Sequence, residues 1–175
     1  MHVTLLAAQS LDGFITQHDT PGSGFTSEAD KKHFRDSLGG FDCSVMGGET
    51  YRVARDLIRS HLTKKRLRLI LTRAPDAYAA DAQPGTLEFA NSSVTGMVDH
   101  LRQRGYQRCA LLGGAQIHTL FLQAGLVDEL WITVEPVLYG RGTPFLARQG
   151  EFRLRLIEKA SLSDDVLLLK YQVKR

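Results

Sequence analysis

The sequence predicts an α/β domain built on a mostly parallel sheet, and three observations carry that prediction. Up to Gly125, short apolar runs alternate with segments whose apolar residues recur at helical spacing. Two of those runs end in a glycine pair that opens a helix, Met46-Gly47-Gly48 and Leu112-Gly113-Gly114. Beyond Gly125 the chain changes to strand patterns alone. Near-continuous apolar runs mark strands covered on both faces, as in a parallel sheet, whereas strict alternation marks strands with one covered face. The expected architecture is therefore one domain over residues 1–175: a central mixed sheet flanked by helices, with a C-terminal antiparallel hairpin.

Each element has its own warrant. Residues 3–8 are nearly all apolar, as a central strand requires. Residues 10–24 hold Gly13, Pro21, Gly22 and Gly24 around Phe14-Ile15-Thr16, and read as a long loop able to close over a ligand. Thr26 or Ser27 caps a helix with Phe34 and Leu38 on one face, stopped by Gly39-Gly40. Asp30 shares that face, where a carboxylate is costly unless it is hydrogen-bonded or used; the plain alternative is an acid complementing the helix dipole. Residues 42–46 form a second buried strand, and the helix opened by Gly47-Gly48 is expected to turn Val53, Leu57 and Ile58 inward. Leu67–Leu71 is a third strand, followed at its carboxyl end by Thr72-Arg73. Leu87–Ala90 is a fourth, and Ser92 or Ser93 caps a helix carrying Val94, Met97, Val98 and Leu101. The run 108–112 then meets Gly113-Gly114 and a helix in which apolar residues recur at helical spacing, Ile117, Leu120, Phe121 and Ala124. Residues 130–135, 152–156 and 167–173 alternate as strands, separated by a Gly/Pro-rich loop, 136–145, and a turn at 161–165.

Charge and cysteine usage narrow the function. Lys and Arg number 22 against 19 Asp and Glu, a net charge of +3, which is too slight to make nucleic acid the main partner. The basic run from Arg52 to Arg73 holds only Asp56 in opposition and lacks interleaved aromatics, so it reads as a solvated face. Cys43 and Cys109 lie in apolar runs as small hydrophobes, and no metal-ligand spacing or disulfide framework occurs. Without a basic leader or an apolar run long enough for a bilayer, a soluble cytoplasmic protein is expected.

A glycine pair at a strand–helix junction lets another group approach the backbone, and the new helix offers free N–H groups to an anion. One such junction suits a packing turn; two in one domain suit a dinucleotide held from both sides. The pieces that carry a resemblance are Ala8 with Ser10-Leu11-Asp12-Gly13, Val45-Met46-Gly47-Gly48-Glu49-Thr50, Leu112-Gly113-Gly114, Val127-Asp128-Glu129-Leu130 leading into Trp131-Ile132-Thr133, and the loop 136–145. Together they span almost the whole chain and resemble the dihydrofolate reductase-like superfamily, most closely its riboflavin biosynthesis reductase branch, the RibD C-terminal domain-like proteins.

The resemblance implies an NADPH-dependent reductase passing hydride to a pyrimidine, pterin or ribosylamino-type substrate, similar to 5-amino-6-(5-phosphoribosylamino)uracil reductase. Dihydrofolate reduction and a non-catalytic nucleotide-binding role are the alternatives. It implies cofactor contacts at Ala8, Ile15, Gly47, Gly48, Thr50, Thr72, Arg73, Gly113, Gly114, Ala115 and Gln116. Asp30 is the implied catalytic carboxylate, with Asp12, Phe34 and Arg141 beside it at the substrate. Glu49 and Gln116 stand where many relatives carry basic residues, which keeps NADH open as the cofactor. No metal, nucleic acid or membrane partner is implied, and a homodimer is.

Overall fold

A computed structural model describes residues 1–174. Its strands are β1 (His2–Ser10), β2 (Cys43–Gly47), β3 (Leu67–Leu71), β4 (Leu87–Ala90), β5 (Arg108–Leu111), β6 (Glu129–Glu135), β7 (Leu154–Ser161) and β8 (Leu167–Val173). The helices are α1 (Glu28–Leu38), α2 (Gly48–Ser60), α3 (Val94–Gln103) and α4 (Ala115–Gln123). All the strands join in one sheet of order β4-β3-β2-β5-β1-β6-β8-β7. Strands β1 to β6 pair in parallel, and β8 and β7 continue the sheet antiparallel at the β6 edge. The expected mixed sheet and terminal hairpin are both present.

Alternation of side chains across the strands sorts the core into two layers. On one face Val3, Leu5, Val45 and Leu111 pack with Met97 and Leu101 of α3 and Phe121 of α4. On the other, Met46 and Ile70 pack with Tyr51 of α2, while Leu6 and Ala110 receive Phe34 and Leu38 of α1. Ser27 and Ser93 are the helix caps, each hydroxyl accepting a backbone N–H from the first turn. The outermost strand, β7, is exposed along most of its length, and a bulge interrupts it between Leu156 and Glu158.

Helix α2 turns a different face inward from the one expected. Val53 and Leu57 are 39% and 66% exposed, while Tyr51 is fully buried and Ile58 packs beside it. A tyrosine hydroxyl reads as polar in a hydropathy pattern, yet this one donates to Asp81 at 2.8 Å, and the ring follows it into the core.

Asp81 also supplies the charge that the basic run seemed to lack. It accepts Arg55 at 2.6 and 2.7 Å and lies 3.5 Å from Arg59. The Arg55 bonds hold the Asp81 carboxyl down at about 2, while burial pushes the Tyr51 phenol up to about 12. Arg66 and Arg68 depart from the solvated reading as well. Arg66 donates to Leu38 O at 2.7 Å, and the buried Arg68 donates to His61 O at 2.6 Å, so both satisfy carbonyls at helix ends. Asp81→Ala strands the buried Tyr51 hydroxyl. The expected cost is about 1–3 kcal/mol, read as a lower urea midpoint at unchanged slope.

Candidate active site

Because six strands are parallel, their carboxyl ends and the connections that follow them line one edge of the sheet. Strands β2 and β5 are neighbours, with Val45 opposite Leu111, so the two glycine pairs arrive side by side. The Gly47 N–H donates to Gly113 O at 2.8 Å. A Cβ at Gly47 would lie 3.0 Å from Ile117, one at Gly48 3.2 Å from Thr72, and one at Gly113 2.6 Å from His118 Nε2. Gly113 has φ +91°, and the Gly113–Gly114 peptide is cis. The packing around Gly47, Gly48 and Gly113 leaves no room for a side chain, so bare backbone and the N-termini of α2 and α4 meet at this junction, which fits an extended phosphate-bearing ligand.

Around the junction, Thr50 Oγ1 and Ile15 Cδ1 lie 3.5 and 4.0 Å from where a Gly114 Cβ would stand, so residues distant in sequence converge there. Ala8 lies near the carboxyl end of β1, opposite Thr133 of β6. A cavity of about 650 Å³ adjoins Gly48, Thr72, Arg73 and Gln116, all four expected from sequence. It is also lined by residues the sequence reading missed: Tyr78, Asn91, Ser92 and Arg148. Gln116, Leu120 and Gln123 present the outer face of α4 to it, a spacing that sequence alone could have revealed. Arg73 and Arg148 have no ionic partner among the described residues. Glu49, the one acid lining the cavity, is held by Arg52.

On the far side of β1, the first turn of α1 sits over the carboxyl end of β6. Asp30 is 8% exposed, and its carboxylate accepts no hydrogen bond among the described residues. Phe34, one turn later, packs against the cluster of Leu6, Phe41 and Ala110. No group of three or more His, Cys, Asp or Glu side chains placed to hold a metal ion occurs among the described residues. No helix among them is long and apolar enough to cross a membrane.

Two of the residues expected at the substrate are engaged elsewhere. The Asp12 carboxylate accepts Ser10 Oγ at 2.6 Å and the N–H groups of Tyr139 and Gly140 at 3.0 and 2.7 Å. Those bonds, Ser10's foremost, hold its carboxyl below the usual range. Arg141 pairs with Asp19 at 3.2 Å on an exposed surface, where such a pair adds little stability. Both residues join the loop after β1 to the loop after β6. Their backbones run together as well: Leu11 N–H donates to Val137 O, Ile15 N–H to Thr143 O and Phe145 N–H to Gly13 O, at 2.9, 2.9 and 3.1 Å.

His118 anchors that ribbon from below. Its ring is 1% exposed, Nδ1 donates to Phe145 O at 3.0 Å, and Nε2 abuts Gly113. Burial pushes the imidazole down to about 4, so the folded protein holds it neutral. The unfolded chain then binds the extra proton between about pH 6.5 and pH 4, and stability falls with pH across that window by about 3 kcal/mol. Half-buried His33 is lowered by burial too and acts in the same sense, more weakly for its exposure. Urea midpoints measured down this range should show the loss in the parent and a flatter profile in His118→Gln.

The fold and the glycine-lined crevice define a dihydrofolate reductase-like domain. The model of the RibD C-terminal domain matches residues 1–168, and the chain belongs to that family. It is 30% identical to the uncharacterized protein YwjB of Bacillus subtilis over 158 residues, 87% of either chain. Among solved structures it is similar to a diaminohydroxyphosphoribosylaminopyrimidine deaminase/5-amino-6-(5-phosphoribosylamino)uracil reductase of Thermotoga maritima. The TM-score there is 0.79 at 16% identity, covering 99% of this chain and 56% of that one. It is similar also to the Enterococcus faecalis dihydrofolate reductase complexed with NADP(H), at TM-score 0.71 and 15% identity, covering 99% of this chain and 97% of the other.

Proposed function

We propose that this protein is an NADPH-dependent reductase acting on a pyrimidine, pterin or ribosylamino-type substrate. The observation that carries the reading is juxtaposition: the cavity that begins at Gly48 and Gln116, beside the paired glycines, bears two guanidinium groups with no ionic partner among the described residues. An extended dinucleotide matches that outline, with its pyrophosphate at Gly113, Gly114, Ala115 and Gln116. Arg73 and Arg148 stand where a terminal phosphate would need planar, charged donors. The named activity of the Thermotoga maritima relative supports the substrate class.

Reduced nicotinamide, when bound, supplies two electrons as hydride to an electrophilic ring or imine carbon. The chain's own groups do the rest. Ala8, at the end of β1, and Ile15 would flank the nicotinamide, Thr50 lies beside Gly114 at the same place, and the ribbon of loops 11–16 and 137–145 would keep water away. Asp30, its carboxylate open and largely buried, holds the amino and ring N–H groups of a heterocycle and supports delivery of the proton that balances hydride addition at the neighbouring nitrogen. The proposed setting is the cytoplasm, where the buried thiols Cys43 and Cys109 stay reduced. A homodimer through the β7 edge, where Leu156 and Ile157 are half exposed, belongs to the same reading and is checked by sedimentation.

Calorimetry tests the cofactor half directly. NADPH should bind in the micromolar range and more tightly than NADH, and Arg73→Ala should weaken NADPH about tenfold or more while leaving NADH nearly unchanged. Silence from both nucleotides overturns the reading. Oxidation of NADPH is then followed with a ribosylaminopyrimidine and with dihydrofolate, which separates the two enzymatic possibilities.

A further inference from the structure

We propose that Glu135 is a positioning residue for Asp30, an inference that rests on the reading of Asp30 as the carboxylate that meets substrate. Glu135 ends β6 and is 3% exposed. A buried acid at a strand end is unusual enough to need a reason. Its Oε1 accepts both the backbone N–H and the hydroxyl of Ser27, each at 3.0 Å. Ser27 is the cap of α1: its hydroxyl accepts the Asp30 N–H at 3.2 Å, and its carbonyl accepts the Lys31 N–H at 3.0 Å. One carboxylate oxygen therefore fixes the cap, and the cap fixes the turn that carries Asp30.

The anchor is as important as the bonds. β6 is paired on both sides up to Val134, in parallel with β1 and antiparallel with β8, and Glu135, its last residue, lies opposite Ser10 of β1. The start of a helix ordinarily frays, because its first N–H groups have no partners within the helix. Here that start is tied to the strand whose neighbour β1 ends in the crevice. A carboxylate beside a helix N-terminus also complements the dipole. Reach and orientation at Asp30 are thus set by the sheet rather than by α1 alone, which is the kind of support a reacting carboxylate needs to hold its geometry.

The test compares Glu135→Ala with Glu135→Gln, which keeps an accepting oxygen while losing the charge. In the ligand-free protein, amide exchange at Asp30 and Lys31 should speed up about tenfold or more in Glu135→Ala and stay within about threefold of the parent in Glu135→Gln. Ser27→Ala removes the acceptor of the Asp30 N–H itself and sets the upper limit of the effect, and Glu135→Asp, whose shorter side chain draws the carboxylate back from Ser27, carries the comparison if Glu135→Ala does not fold. NADPH affinity should be the same in all of them. With a turned-over pyrimidine, kcat should fall in Glu135→Ala and recover in Glu135→Gln at constant KM for NADPH. Unchanged exchange in Glu135→Ala, or acceleration spread evenly through the chain, overturns the proposal; so does Glu135→Gln behaving like Glu135→Ala. Absence of turnover in the parent overturns the reductase reading instead, and the exchange comparison still decides the role of Glu135.

Discussion

Asp30→Asn should leave the cofactor bound and remove most of the turnover. The expected fall in kcat is about a hundredfold or more, the scale of a lost acid–base group, with NADPH affinity unchanged within about twofold. The split follows from the geometry. Asp30 lies on α1, over the β6 end of the crevice, whereas the glycine junction is built from β2, β5 and the helices after them. Asparagine keeps the size and removes the charge that orients a heterocycle. Steady-state rates with a ribosylaminopyrimidine, set beside calorimetric NADPH binding, check it. Equal turnover in the two proteins with every reducible substrate would remove Asp30 from the chemistry.

Gly113→Ala should cost both stability and cofactor binding. The new methyl would stand 2.6 Å from His118 Nε2 at a backbone φ of +91°, and the imidazole has nowhere to go. It is pinned by its bond to Phe145 O at 3.0 Å and by the Phe145 ring, 4.8 Å away between centroids. Strain and overpacking together are worth about 2–4 kcal/mol. Gly105→Ala is the control, since Gly105 shares a positive φ but has open space around it. Urea denaturation should show a clearly larger loss at Gly113, and NADPH binding should suffer there alone.

Much of this fold is legible from spacing. Leu67–Leu71 and Leu87–Ala90 occur as strands with the bounds expected, because apolar runs between turn residues have little choice in a covered sheet. The glycine pairs could be found, and their likeness suggested a shared site; that they touch depends on β2 and β5 being neighbours, which is a matter of strand order. Spacing of apolar residues passes over Tyr51 and counts Arg68 within a solvated run, because each has a polar end and a long apolar body, and tertiary partners decide which end prevails. Asp12 and Glu135 expose a different gap. Beyond the Ser10 hydroxyl beside Asp12, the groups that engage them, Gly140 and Ser27, lie far along the chain, and nothing local announces those.

The ribbon formed by loops 11–16 and 137–145 bears on the tempo of any catalysis. Its two halves leave the sheet from adjacent strands, β1 and β6, and it is fastened to α4 through Phe145 and His118. Ile15 is thus tied into a two-stranded strip by its N–H on Thr143 O and by the Phe145 N–H on Gly13 O, and the strip ends on the histidine behind Gly113. On the proposed reading, residence time of the nucleotide should depend on this strip as well as on the contacts Ile15 itself makes.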